Sequence, residues 1–449
     1  MISEKILYKT GSVCPICLKP ITAERISRGK EIFLKKTCSQ HDTFETIIWR
    51  GHYDINSWIG NGEPELPEDL QCPNGCGLCP DHLTNTCCTI LNITDRCNLT
   101  CNFCLADQDN SKEDPTFSEI KESLYKLIKK DKSLVQLSGG EPTVREDLVE
   151  IVRTAKEAGA KYIQLNTNGV LLGENKQFVK DLAEAGLSFV FLQFDGTEDA
   201  IYQKLRNRPL LDIKQKAIEN CAEYNIGVTL VATLVRDINI NNVGEIIRYG
   251  LKQMPKVRGV HFQPVSFFGR IPKIPTDRDR ITIDELIYEI EGQTKGLIKA
   301  ENLLPSSCYH ALCSFHGDFV IDNDSLVPLQ NFRKANKEIT SVADPADRNR
   351  EFIGRRWERP ESLKFATVKP TVLKPAALKS EAKSCCGNIH DMDYFLKIAK
   401  SQSFTITSML FQDAGNIDFS RLRKCSLHVY DKEKFIPFCS YYLSKWDVQ

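Results

Sequence analysis

The sequence predicts an α/β protein: a parallel sheet in the middle of the chain, flanked at both ends by cysteine-rich metal-binding domains. Three observations predict it. Short apolar runs alternate with amphipathic segments from about residue 89 onward. The 449-residue chain carries 18 cysteines, and those cysteines avoid the middle. Eight lie in residues 1–88, three in 97–104, one at 221 and six in 308–439. A chain of this length fits about three domains, drawn as 1–88, 89–300 and 301–449. Hydrophobic residues make up 41% and aromatics 9%, which excludes a mainly disordered chain. Lys and Arg number 59 against 59 Asp and Glu, so no global basic field exists for nucleic acid. The opening MISEKILYKTGS has no apolar leader core, and no stretch approaches the ~18 apolar residues of a membrane helix. A cytoplasmic chain is therefore expected, in which clustered thiols bind metal rather than pair as disulfides. Peripheral contact with a membrane stays open, although no anchoring helix stands out.

Residues 1–88 read as loop-rich, with strand-like EIFLKKT and FETIIW and a Pro/Gly-rich NGEPELPEDLQCPNGCGLCP. Metal can substitute for the core that such a segment lacks. From 89 the strand candidates are TILNIT (89–94), LVQLS (134–138), YIQLN (162–166), FVFLQF (189–194), GVTLVATLV (227–235) and GVHFQPV (259–265). Helical patterns separate them, two of which stop at Ala-Gly. Repeated βα units imply right-handed crossovers and a parallel sheet, open or curled. Residues 365–384 read as a Lys/Ala/Pro-rich linker or lid.

Cys97, Cys101 and Cys104 form a C-x3-C-x2-C loop directly after the first strand, with Phe103 before the last cysteine. Three thiolates on one tight loop can hold three irons of a 4Fe–4S cluster and leave the fourth open to a small molecule's amino and carboxylate groups. The C-terminal mouth of a parallel sheet is where α/β folds place their chemistry. At the end of the second strand stand Gly139, Gly140, Glu141 and Pro142. Glycines let backbone approach a ligand, and Glu141 could accept from a ligand ammonium.

Cys14 and Cys17 (CPIC) with Cys38 and His41 (CSQH) have the spacing of a tetrahedral single-metal site, zinc or iron. Cys72, Cys76 and Cys79 repeat the C-x3-C-x2-C spacing without an adjoining strand or glycine-rich strand end, and read as an auxiliary site. Its fourth ligand comes from Cys87, Cys88 or His82. Cys308, Cys313, Cys425 and Cys439 could close another cluster, with Cys385 and Cys386 as the competing pair. Cys221 reads as a core cysteine.

The CNLTCNFC and GGEP motifs resemble those of the radical S-adenosylmethionine (SAM) enzymes over roughly residues 89–270. The resemblance implies a partial (β/α)6 barrel, and SAM held on the open iron and cleaved by one electron to a 5′-deoxyadenosyl radical. It also implies that GGEP contacts the methionine amino group, and that Asn166, Asn168, Gln193 and Asp195 fall where the family contacts SAM or substrate. Both chain ends, from CPICL through KKTCSQHDTFETIIW and TCCTILNITDRC to FQDAGNIDFSRLRKC and KFIPFCSYY, are similar to archaeal tetraether lipid synthase-like proteins. That likeness implies Cys87 beside Cys72, Cys76 and Cys79, two auxiliary 4Fe–4S clusters, and an external donor such as ferredoxin or flavodoxin. It further implies a hydrophobic or lipid substrate coupled through unactivated C–H bonds. His41-Asp42 departs from the family's His-Gly. Methyl transfer to a pterin or other small molecule is the alternative, and a non-catalytic iron–sulfur electron carrier is the reading from another class.

Overall fold

The computed structural model describes residues 4–60, 63, 65–67, 72–105, 110–130, 134–322, 325–329 and 402–444. The 365–384 linker and Cys385 and Cys386 lie outside the described residues.

Four antiparallel strands open the chain: β1 (Glu4–Val13), β2 (Pro20–Arg28), β3 (Glu31–Thr37) and β4 (Thr43–Trp49), paired in that order. An up-and-down meander brings its first and third turns to the same end. Cys14 and Cys17 lie in the turn after β1, and Cys38 and His41 in the turn after β3. The two metal-spaced pairs are thereby brought together.

The six expected parallel strands follow as β5 (Cys88–Thr94), β6 (Leu134–Gly139), β7 (Ile163–Thr167), β8 (Phe189–Gln193), β9 (Gly227–Leu234) and β10 (Val257–Pro264), each pairing with the next. The two helices expected to stop at Ala-Gly span Leu148–Glu157 and Lys176–Ala185. Alternation along the strands divides their two faces. Val135, Leu137, Ile163, Leu165, Val190, Leu192, Val228, Leu230, Val260 and Phe262 belong to one apolar core. Their neighbours Gln136, Ser138, Gln164, Asn166, Phe191, Gln193, Val231, Thr233, His261 and Gln263 line a cavity instead. A parallel strand covered on both faces by apolar packing reads as a near-continuous hydrophobic run. Polar residues at most of the inward positions mark a sheet curled around something polar.

The last third of the chain extends this same sheet. After β11 (Leu304–Pro305), β12 (Ser314–Asp322) and β13 (Ser325–Pro328), β14 (Ser403–Met409) pairs parallel to β10 and antiparallel to β12. At the opposite edge β15 (Leu427–Asp431) pairs parallel to β5 and carries β16 (Lys434–Pro437). Leu427 of β15 and Ser314, His316 and Asp318 of β12 line one cavity, so the sheet is a partial barrel. Residue 300 marks no break in that sheet.

Residues 410–423 join the two ends of the chain. Thr10 donates to Asp418 at 2.7 Å, Ser12 to the Ile417 carbonyl at 2.6 Å, and Thr46 to the Gly415 carbonyl at 2.9 Å. Arg25 is buried against Asp418 and Glu63. Burial pushes the Lys36 ammonium down to about 7, and it donates to Ser12 and the Ala414 carbonyl. The C-terminal FQDAGNIDFSRLRKC is thus the seat of the N-terminal domain.

Candidate active site and metal centres

The cavity inside the barrel has a volume of about 540 Å³ and is lined by Cys97, Cys101, Phe103 and Cys104 at the C-terminal end of the parallel strands. Sequence-distant backbone fixes this loop from two sides. On one side Asn102 bonds Leu205 and Lys204, and Asn207 donates to the Thr100 carbonyl at 2.7 Å. On the other, Cys104 and Arg270 exchange backbone hydrogen bonds at 3.3 and 3.0 Å. Burial pushes the Cys97 thiol up to about 12, and the nearby Glu141, Cys101 and Cys104 push the same way. Burial also raises Cys101, against the pull of the Arg206 guanidinium. Buried thiolates crowded in this way are stabilised by a bound metal, which deprotonates them outright. Three of them facing one cavity suit a 4Fe–4S cluster with one iron left to a ligand.

The glycines of GGEP serve the loop itself. A Cβ on Gly139 would stand 2.1 Å from the Thr94 carbonyl oxygen, and one on Gly140 2.2 Å from that of Arg96. Gly140 and Glu141 donate backbone hydrogen bonds to those two carbonyls at 2.8 Å each. Close approach of GGEP backbone to cysteine-loop backbone is what excludes a side chain here. Gly139, Gly140 and Glu141 line the cavity; Pro142 is buried and does not. The Glu141 carboxylate receives Thr143 N–H and O–H, Thr167 O–H and Asn168 N–H at 2.6–3.1 Å. It ties the ends of β6 and β7 together, a role the expected ligand contact did not include.

Asn166, Asn168 and Gln193 line the cavity. Asp195 does not. It is fully buried and holds Arg206 through two bonds of 2.8 Å, with Thr233 N–H as a further donor at 3.1 Å. The expectation that Asp195 meets SAM or substrate is corrected: Arg206 stands between it and the cavity, bonded to the Cys101 thiol and the Phe103 carbonyl. Arg206 and Arg270 are functional residues that the sequence does not announce. Their motif context, KLRNRP and FFGRIP, gives no local signal, because each reaches the loop from another βα unit. The inward set of β12 also joins the site, and its signal in the sequence is the alternation of His316 and Asp318 in SFHGDFVID.

In the N-terminal domain, the ligand atoms of Cys14, Cys17, Cys38 and His41 all lie within 4.8 Å of one another. His41 Nδ1 is 3.5 Å from Cys14 Sγ and 3.4 Å from Cys38 Sγ. Bond lengths of about 2.3 Å to sulfur and 2.0–2.1 Å to nitrogen in a tetrahedron require S···N near 3.6 Å, so the donor set fits one zinc or iron. Asp42 is not among the positive-φ residues, so this turn does not require the family's glycine.

The remaining cysteines group differently from expectation. Cys72 hydrogen-bonds Cys76 and lies near Cys79, and Cys76 also bonds Ser440. Cys313, Cys425 and Cys439 are mutual neighbours, with Cys76 near Cys425. Cys87, expected with Cys72, Cys76 and Cys79, has its thiol on Cys308. The reason is register. Cys87 precedes β5, and its N–H is fixed to the Ser426 carbonyl at 2.8 Å while the Ser426 hydroxyl bonds the Cys308 carbonyl. Cys87 and Cys88 both line the cavity. Cys221 is a buried core residue.

The radical SAM superfamily model matches residues 91–250, and the model described as the HMPTM N-terminal zinc ribbon domain matches residues 6–50. The chain belongs to the radical SAM superfamily, whose members are enzymes that use a 4Fe–4S cluster and SAM. It is 35% identical to 7,8-dihydro-6-hydroxymethylpterin dimethyltransferase of Methanocaldococcus jannaschii, over 96% of this chain and 93% of that one. It is 28% identical to GTP 3′,8-cyclase of Clostridium perfringens over 39% of this chain and 55% of that protein. Among solved structures, methylornithine synthase is 18% identical with a TM-score of 0.37, covering 48% of this chain and 64% of that one. None of the helices among the described residues is long and apolar enough to cross a membrane.

Proposed function

We propose that the chain is a radical SAM methyltransferase acting on a pterin. The observation that carries this reading is the near full-length likeness to a pterin dimethyltransferase, which includes both cysteine-rich ends. The cavity supports it. Its strands present Gln136, Gln164, Asn166, Gln193, Thr233 and Gln263, donors and acceptors suited to a nitrogen heterocycle. A lipid tail has no use for them, and the comparisons give no support to the lipid-coupling expectation.

In this reading Cys97, Cys101 and Cys104 hold the cluster, and Arg206 and Arg270 fix their loop. The bound cluster and SAM supply one electron and a carbon radical able to take hydrogen from an unactivated C–H bond. Gly139, Gly140, Asn166, Asn168 and Gln193 shape the SAM side of the cavity, and the barrel wall keeps water from the radical. Cys14, Cys17, Cys38 and His41 hold one zinc or iron. The sets Cys72/Cys76/Cys79 and Cys313/Cys425/Cys439 carry two auxiliary clusters, to which Cys87 and Cys308 contribute beside the cavity. A ferredoxin or flavodoxin supplies electrons.

The test is anaerobic reconstitution with a strong reductant, 6-hydroxymethyl-7,8-dihydropterin, SAM as the radical source, and a one-carbon donor, either further SAM or a methylene-bearing reduced-pterin coenzyme. A pterin heavier by one or two methyl groups supports the reading. 5′-Deoxyadenosine with unchanged pterin refutes it. Fusion of two lipid tails in a parallel incubation with lipid in place of the pterin would restore lipid coupling, and absence of 5′-deoxyadenosine would favour the electron carrier. Mössbauer and iron analysis should give about 13 irons if the fourth metal is iron and about 12 if it is zinc.

A further inference from the structure

The cavity wall holds an imidazole whose inner nitrogen is unclaimed. His261 of β10 lies directly opposite Thr407 of β14, and Thr407 Oγ1 is 2.8 Å from its Nδ1. The ring is half-buried and lines the cavity, and among the described residues nothing bonds its Nε2. Unlike the two sealed ring nitrogens of His428, that nitrogen is open to the cavity. Burial without any offsetting charge holds the imidazole neutral, down to about 4. A neutral imidazole carries one N–H and one lone pair, and the bond at one nitrogen sets the role of the other. The Thr407 hydroxyl has no second acceptor among the described residues. With its hydrogen on Nδ1, only the Nε2–H is left unmet. The reverse tautomer would strand both the hydroxyl hydrogen and the Nε2 lone pair, which costs more. His261 therefore presents an N–H donor to the cavity.

Strand register places this donor. His261 pairs with Val231 and Val231 with Gln193, so two strand spacings, about 10 Å, separate His261 from Gln193. Gln193 adjoins Arg206, which bonds the Cys101 thiol. A flat bicyclic ring held at His261 lies between that residue and the cysteine loop. The Phe191 ring, 5.6 Å from the imidazole, offers it an apolar face. In a 7,8-dihydropterin the acceptors O4 and N5 stand side by side on one edge, whereas N1 lies between two donors. The wall amides can donate or accept and so do not select an edge. We propose that His261 is a specificity-determining residue of this cavity, donating its Nε2–H to the O4 and N5 edge of the heterocycle, with Thr407 as the positioning residue that fixes its tautomer. This deepens the pterin reading above and rests on it.

The experiment measures binding of 6-hydroxymethyl-7,8-dihydropterin and of its 4-amino analogue, with an amino group in place of O4, by anaerobic equilibrium dialysis against the cluster-loaded enzyme. The wild type should bind the 4-oxo ring at least about tenfold more tightly, because the amino group sets a donor against the imidazole donor. In His261→Phe, 4-oxo affinity should fall about tenfold or more and the preference should vanish. In His261→Gln the amide donates to O4 or accepts from the amino group. Its 4-oxo affinity should stay within about threefold of wild type while the preference is lost. Thr407→Val frees the imidazole to change tautomer and should shrink the preference in the same direction. General damage to the cavity would weaken both rings alike and leave their ratio unchanged. Equal wild-type affinities, or an unchanged ratio in folded His261→Phe with full iron content, would overturn the proposal. Preference for the 4-oxo ring without methylated product in the incubation above would sink the methyl-transfer reading and leave the His261 assignment standing. A wild type that binds neither ring overturns the assignment, and methylated product in that incubation would then show that the methyl-transfer reading survives it.

Discussion

The loop at Cys97, Cys101 and Cys104 and the loop at Cys72, Cys76 and Cys79 have one spacing and two different settings. The first leaves a barrel strand, is clamped between GGEP and Arg270, and lines the cavity. The second joins no strand and rests on the C-terminal segment. Ser440 donates to the Pro73 carbonyl at 2.9 Å, Arg423 to that of Asp81 at 2.8 Å, and Leu83 N–H to that of Arg423 at 2.7 Å. None of its cysteines lines the cavity. Spacing therefore decides how many thiols one loop can aim at a cluster. Whether a ligand can reach that cluster is decided by residues hundreds of positions away.

The largest contrast should appear in SAM cleavage. Cys101→Ala should abolish 5′-deoxyadenosine formation. Cys76→Ala should retain it while losing about four irons per chain, with methylated product falling. Cleavage surviving in the Cys101 variant would dissolve the distinction between the loops. Loss of the whole fold in the Cys76 variant would make the second loop purely structural.

Next comes the support behind the first loop. Asp195→Asn removes the charge that faces a fully buried Arg206, and breaking a buried pair costs about 3 kcal/mol or more. Chemical denaturation should show that loss, and SAM cleavage should slow because Arg206 no longer fixes the Cys101 side. If Asp195 instead touched SAM, the variant would raise KM for SAM at wild-type stability.

This division also sets what could be read in the sequence. Six strands, their order and the three-thiol loop were legible, because alternation and short-range spacing are local properties. The same locality misled at Asp195. A carboxylate at a strand end looks the same whether it faces a ligand or an arginine arriving from the next helix. Cys87 shows the other limit. Its partner, Cys308, is set by the docking of β15 on β5, and pairing across more than 200 residues leaves no mark in local spacing. The strands β14 and β15, which flank the six parallel ones, were missed as barrel members for a related reason. Each joins the sheet by pairing with a strand far away in the chain, with no βα unit beside it to announce the crossover.

The smallest effects test the comparison most finely, because each loop region has a glycine whose replacement adds only one methyl group. At Gly140 that methyl would meet the Arg96 carbonyl at 2.2 Å and the Asp95 carbonyl at 2.9 Å, both in backbone that cannot swing aside. Gly140→Ala should destabilise by about 2–3 kcal/mol, as overpacking does, and should lower cluster loading at Cys97, Cys101 and Cys104. At Gly77 the nearest neighbour is the flexible Lys434 side chain at 3.6 Å, ordinary contact distance. Gly77→Ala should therefore change stability by no more than about 0.5 kcal/mol and leave both iron content and SAM cleavage at wild-type values. Paired denaturation curves and iron counts on the two variants measure this directly. A Gly77 variant as damaged as the Gly140 variant would mean that the second loop is held as tightly as the first, and its lack of a strand would then explain nothing about its role.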